Sequence, residues 1–202
     1  MPTYSHYLVV DLEATCDQPE SFPRSETEII EIGAVLLDAA TFEVVREFQT
    51  FVRPRRHPRL TAFCTQLTTI TQEQVDAAPR FPQALQELIR FRGQTGALLC
   101  SWGRYDWNQL QRDIRYHRRQ MPFKRHFNVK DKFSEVLGSS RRFGVRGALR
   151  EVRLRFVGTP HRGIDDARNI ARLLPYAMGE RPFPRADEGR GDRRGPARRR
   201  HR

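Results

Sequence analysis

The stretch Tyr7-Leu8-Val9-Val10-Asp11-Leu12-Glu13 starts with β-forming, apolar residues and ends in two acids separated by one position. It reads as a strand. Side chains alternate across a strand, so Asp11 and Glu13 leave the same face of the sheet. Two carboxylates at the end of a buried strand repel each other and are costly to desolvate. A cation between them is the usual compensation. Asp-x-Glu arises by chance about once in a chain of this length, and two solvated acids at an exposed strand end explain it equally well. The rest of the chain has to decide between these readings.

Outward from that stretch, residues 29–37 and 44–52 read as further strands, the second with an alternating pattern. Thr71 and Gln74 have the spacing of a capping box. Residues 82–91 read as a helix with Leu85, Leu88 and Ile89 on one face. Residues 97–102 form a short apolar strand, 105–117 a helix and 127–129 a last strand. Helices follow at 130–137, 145–152 and 163–177. Strands first and helices later predict an α/β fold. Its sheet begins antiparallel and gains parallel strands through helical crossovers.

At 202 residues the chain fits one domain with an appendage. Hydrophobic residues make up 38% and charged residues 30%, which suits a soluble globular protein. No stretch nears the roughly 18 apolar residues of a membrane span, so no membrane association is expected. Residues 1–6 are short and polar, and no signal peptide is expected there. Cys16, Cys64 and Cys100 form neither a zinc pattern nor a disulfide framework, which predicts a reducing, cytoplasmic setting.

The net charge is +12, and all but Lys124, Lys130 and Lys132 of the 36 basic residues are arginine. Arginine grips phosphate bidentately and stacks on bases, so the bias suits a nucleic-acid partner. An arginine-favouring genome would give the same bias. From residue 180 the composition changes: nine arginines face four acids, without periodicity. This predicts a folded domain over 1–179, basic in its own right, and a disordered arginine-rich tail over 180–202.

Three further residues stand in suggestive places. Asp106 follows a short apolar strand and starts a helix, where a first-turn acid is also favoured by the helix dipole. On the last helix, Ala167, Ile170, Ala171 and Leu174 form the apolar stripe. Asp166 lies within about 40° of Ile170, facing inward, and needs a metal or a buried arginine as partner. Asp165 falls on the opposite side with Arg168 and Arg172, as a solvated charge. His161 sits in the loop Thr159-Pro160-His161-Arg162-Gly163, where Gly163 gives the chain freedom to present an imidazole. Near a helix N-terminus a neutral imidazole is a candidate base, although a surface-loop histidine is the plainer alternative.

Taken together, Val-Asp11-Leu-Glu13-Ala-Thr-Cys, Ser-Trp-Gly-Arg-Tyr-Asp106 and His161-Arg-Gly-Ile-Asp-Asp166-Ala-Arg-Asn resemble the motifs of the DEDDh 3′→5′ exonucleases of the DnaQ-like superfamily. The Glu-Ile-Ile-Glu-Ile-Gly run at 28–33, the Phe-Cys-Thr-Gln-Leu-Thr block at 63–68 and Val-Asp-Ala-Ala-Pro at 75–79 resemble its Eri-type and KapD-type branch in particular. The likeness spans residues 5–178. It implies an RNase H-like three-layer fold, with a mixed five-stranded sheet and helices on both faces. It also implies two Mg²⁺ or Mn²⁺ ions held by Asp11, Glu13, Asp106 and Asp166, with His161 as general base. Leu12, Ala14 and Thr15 would line the terminal-nucleotide pocket. The implied substrate is a 3′ end of single-stranded RNA, or of DNA, degraded to nucleoside 5′-monophosphates. Thr69 departs from the branch, which usually has glycine there. Two rival readings use the same residues: a catalytically silent nucleic-acid-binding module and a metal-dependent nuclease that cuts internally.

Overall fold

The computed structural model describes residues 4–18 and 21–184. Five strands, β1 (His6–Ala14), β2 (Ile29–Asp38), β3 (Val44–Phe51), β4 (Leu98–Ser101) and β5 (His126–Asn128), form one sheet in the order β3-β2-β1-β4-β5. The β1–β2 and β2–β3 pairs are antiparallel, whereas β1–β4 and β4–β5 are parallel. Among the described residues seven α-helices accompany it, α1 (Ala62–Thr68), α2 (Gln72–Asp76), α3 (Phe81–Arg92), α4 (Tyr105–Tyr116), α5 (Val129–Val136), α6 (Val145–Glu151) and α7 (Gly163–Ala177), with a 3-10 turn at Arg24–Glu26.

The alternation of β1 explains the layering. Leu8, Val10 and Leu12 join the core formed with α3 and α4, through residues such as Leu85, Leu88 and Leu110. Tyr7 and Val9 face the other way and pack with α5, α6 and α7 through Phe133, Leu149 and Ile170. Asp11 and Glu13 continue that second series, so both acids emerge on the α7 side. Strand β2 is buried on both faces, as its run of apolar residues requires. Strand β3 is an edge strand and mostly exposed.

The capping box is present: Thr71 accepts from the Gln74 amide, and the Gln74 side chain accepts from the Thr71 amide. Helix α1 has no counterpart in the sequence reading. Its threonine-rich sequence has weak helix propensity. A local cap and a tertiary contact hold it instead: the Thr61 side chain caps its start, and Cys64 packs with Ile30, Ile70 and Val75 in a small satellite core. The segment expected to form the tail starts at residue 180, and its aromatic residue is described. Phe183 packs on Phe133 and Tyr176, with ring centroids 5.1 and 5.7 Å apart, so packing against the core continues past residue 180. Residues 185–202 lie outside the described residues.

Thr69 closes α1 at φ 60°, ψ 10°. Left-handed backbone is unfavourable for a β-branched side chain, and glycine removes the clash. Thr69 is exposed, so little packing is at stake. Thr69→Gly should therefore raise stability by about 1 kcal/mol. A urea midpoint that stays the same or falls would contradict the strain at this cap.

Candidate active site

The site forms where β1 and β4 end and α4 and α7 begin. Carboxylate oxygens of Asp11, Glu13 and Asp166 lie within 4.8 Å of one another. Asp106 is outside that trio but lines the same cavity, of about 340 Å³, as do His161, Trp102 and Tyr105. All five residues expected to carry the chemistry therefore share one space.

Asp106 has a backbone reason to be there. Strand β1 pairs with β4 only through Val9, so the later amides on that edge have no strand partner. Asp106, 5% exposed on the first turn of α4, accepts the Leu12 N–H at 3.0 Å. It takes the place of the missing ladder bond. The helix dipole alone does not account for its position.

Asp166 accepts the backbone N–H of His161 at 2.8 Å. His161 itself is exposed and takes the left-handed conformation at φ 60°. The freedom expected of Gly163 is thus supplied at His161. Gly163 is required for a different reason: a Cβ there would stand 3.0 Å from the Asp11 carbonyl oxygen and 3.1 Å from the Gly33 nitrogen. Asp165 also departs from the expectation of a solvated charge. Its side chain is only 18% exposed, accepting the Thr159 N–H at 2.8 Å and the Arg168 guanidinium at 2.9 Å.

Burial, reinforced by like charge, dominates the electrostatics. Asp11 is held well above the usual carboxylate range by burial and then by Asp106, Glu13, Asp166 and Glu31. Glu13 is pushed up to about 8 by burial and then by Asp166, Glu31 and Asp106. Asp106 is pushed up to about 7 by burial, against the opposing hydrogen bond from Leu12. Burial also raises Asp166, opposed by the His161 N–H. Crowded carboxylates that resist ionisation together are a donor set for a hard divalent cation, and their oxygens suit the Mg²⁺ and Mn²⁺ class.

The run at 28–33 contains two acids whose roles sequence reasoning missed. Glu28, 3% exposed, accepts the amides of Arg55, Arg56 and His57 at 2.9, 2.5 and 3.1 Å. Glu31, fully buried, stands opposite Glu13 in the β1–β2 ladder. It accepts from Gln49 at 2.6 Å, Arg162 Nε at 3.2 Å and the Gly163 amide at 3.0 Å. Its position on a mostly apolar strand was the available signal, because a charge there needs a buried partner.

Of the residues expected to bind a terminal nucleotide, Leu12 and Ala14 line the acidic cavity. Thr15 lies on a neighbouring cavity of about 530 Å³ with Phe22, Phe63 and Arg112. Its hydroxyl accepts the Glu28 N–H at 3.0 Å, which gives it a structural task. Cys16 and Tyr105 border both cavities. Tyr105 is 53% exposed, an aromatic face left open between the two spaces.

This arrangement, two acids at the carboxyl end of β1 and one on the first turn of each of α4 and α7, defines a carboxylate-centred α/β site. The exonuclease family model RNase_T matches residues 8–174. The mouse protein "ERI1 exoribonuclease 3" is 34% identical over 183 residues, covering 85% of this chain and 53% of that protein. The Schizosaccharomyces pombe "3'-5' exonuclease eri1" is 31% identical over 204 residues, covering 87% of this chain and 68% of the relative. The solved nuclease domain of 3'hExo, described as a DEDDh family member bound to rAMP, superposes with a TM-score of 0.81 at 30% identity. It covers 91% of this chain and 98% of that one. The chain belongs to the exonuclease family. It spans about half the length of the mammalian relatives it matches.

The raised carboxylate pKa values set a stability profile for the protein with divalent ions removed. The folded state keeps protons up to about pH 7–8 at Asp106 and Glu13, whereas the unfolded chain releases them near pH 4. The folded state then binds more protons, so this contribution to stability falls as pH rises from about 4 to 8. In EDTA the melting temperature should decline across that window, and Asp11→Asn should flatten the decline and raise the value at pH 8. A flat wild-type profile would show that burial and like charge do not raise these carboxylates.

Proposed function

We propose that this chain is a metal-dependent 3′→5′ exonuclease acting on single-stranded RNA, with single-stranded DNA as a second substrate, and releasing nucleoside 5′-monophosphates. The observation that carries this reading is the convergence of Asp11, Glu13 and Asp166 oxygens within 4.8 Å, with His161 on the same cavity. The names of the relatives support the polarity and the preference for RNA.

Asp11, Glu13, Asp106 and Asp166 are the residues that would hold two Mg²⁺ or Mn²⁺ ions. Such ions, when bound, supply charge stabilisation at the phosphate and ease deprotonation of a water. The protein supplies the remainder. His161 offers an imidazole on the exposed rim, where it accepts the proton from the attacking water. Asp166 fixes the backbone of that histidine through the 2.8 Å bond. Leu12 and Ala14 form the floor on which the terminal nucleotide rests, Thr15 borders the neighbouring cavity, and Tyr105, which borders both, gives the base an aromatic face. Protein charge favours the encounter, because residues 8–174 sit within a chain of net charge +12.

A silent binding module would also need the basic surface, but not the crowded buried acids, which oppose phosphate binding unless a cation covers them. Among the described residues no helix is long and apolar enough to cross a membrane. Three free cysteines fit a cytoplasmic setting.

A 5′-labelled single-stranded RNA incubated with Mn²⁺ distinguishes the readings. A ladder that shortens from the 3′ end with release of 5′-monophosphates is expected, and EDTA should abolish it. Internal fragments would indicate an endonuclease, and intact RNA a silent module. His161→Ala should turn over at least ~10²-fold more slowly with nearly normal binding. A loss under tenfold would reassign His161 to a structural role.

Residues 185–202 carry eight arginines against three acids. We propose that they add screened contacts to phosphate and no chemistry. Deleting them should weaken RNA binding at low salt, flatten its salt dependence and leave the saturated rate within about twofold. A large fall in that rate would place part of this segment in catalysis.

A further inference from the structure

We infer that Glu31 is a positioning residue for the base: it locks the loop that carries His161 onto the sheet, and so acts on catalysis through the imidazole without binding metal. The inference rests on the proposed nuclease reading for its catalytic part. Its structural part stands on contacts alone.

Three consecutive residues of the loop are each tethered by a carboxylate. The His161 amide donates to Asp166 at 2.8 Å. The Arg162 guanidinium donates to Glu31 through Nε at 3.2 Å and a longer Nη2 contact at 3.5 Å. The Gly163 amide donates to Glu31 at 3.0 Å. The Gly163 amide is the first backbone donor of α7, and Arg162, the residue preceding it, makes no side-chain cap. Glu31 therefore caps α7 from a strand 132 residues away.

Glu31 is suited to this task and not to holding a metal. Its side chain is fully buried, and both oxygens are occupied: Oε1 by Gln49 and Arg162, Oε2 by Arg162 and Gly163. Its neighbours Asp11, Glu13 and Asp166 converge without it. A buried ion pair of this kind repays little more than its own desolvation, so net stability is weak ground for it. What it defines is the path of residues 161–163, hence the direction in which His161 leaves the backbone.

Glu31→Gln preserves volume and removes the charge. In the nuclease assay it should lower kcat at least ~10-fold with KM within about threefold, because only the base is misplaced. In a His161→Ala background the same change should cost less than about twofold, since no imidazole remains to be placed. Mn²⁺ affinity, measured by calorimetry, should stay within about threefold of wild type. Additive losses in the double variant would overturn the inference, and a tenfold fall in metal affinity would make Glu31 a ligand instead.

Hydrogen exchange provides a readout independent of activity. In Glu31→Gln the amides of His161 and Gly163 should exchange faster while β1 and β2 amides remain protected. Unchanged protection at 161–163 would refute the tether even if the protein cleaved nothing. Should Glu31→Gln fail to fold, Arg162→Lys, altering a partly exposed partner of the same bond, should show the same pattern at smaller amplitude, and unchanged exchange there would likewise refute it.

Discussion

Backbone against backbone, Gly33 of β2 and Gly163 of α7 meet more closely than any side chain permits. A Cβ on Gly33 would lie 2.0 Å from the Gly163 carbonyl carbon, and one on Gly163 would crowd the Asp11 carbonyl oxygen. Everything at the site depends on this contact. It presses the start of α7 onto the β1–β2 pair, so the carboxylate of Asp166 reaches those of Asp11 and Glu13 from a segment more than 150 residues away. A methyl group at Gly33 would push the start of α7 outward, whereas one at Gly163 would need a shift of only a few tenths of an ångström. The acids do not hold themselves together, since their charges repel. Packing of α7 through Ala167, Ile170 and Leu174 supplies the force that opposes them.

Much of this was legible in the sequence. The strand series and the long helices followed from apolar periodicity, and α7 begins and ends where its stripe predicts. The direction of Asp11, Glu13 and Asp166 followed from periods of 2.0 and 3.6 residues. Other features depend on contacts distant in sequence, which periodicity does not encode. Helix α1 forms because Cys64 finds Ile30 and Ile70, not because its threonines favour a helix. Asp106 is placed by an orphaned amide on β1, visible only once β4 is known to stop short of Leu12. Asp165 looked solvated from helical phase alone, but the loop before α7 turns back and donates Thr159 N–H to it. Thr69 lies between these cases. Its departure from glycine was visible in the sequence, but its meaning, a left-handed cap, came with the dihedral angles.

The distribution of countercharges separates the acids by task. Glu31 has Arg162, and Asp165 has Arg168. Among the described residues, none of Asp11, Glu13, Asp106 and Asp166 forms an ion pair within 4 Å with an arginine or lysine. Arg146 favours the charged form of Asp166 only from farther off. In a chain with 33 arginines this is not for want of cations. An arginine inside the cluster would satisfy the carboxylates permanently and leave nothing to bind a divalent ion or face a phosphate. Arginine thus neutralises Glu31 and Asp165, whereas Asp11, Glu13 and Asp166 stay crowded, an arrangement that a divalent cation would relieve. The same physical penalty, burial of like charge, marks the site in the sequence, raises its carboxylate pKa values in the structure and is what a divalent cation there would relieve.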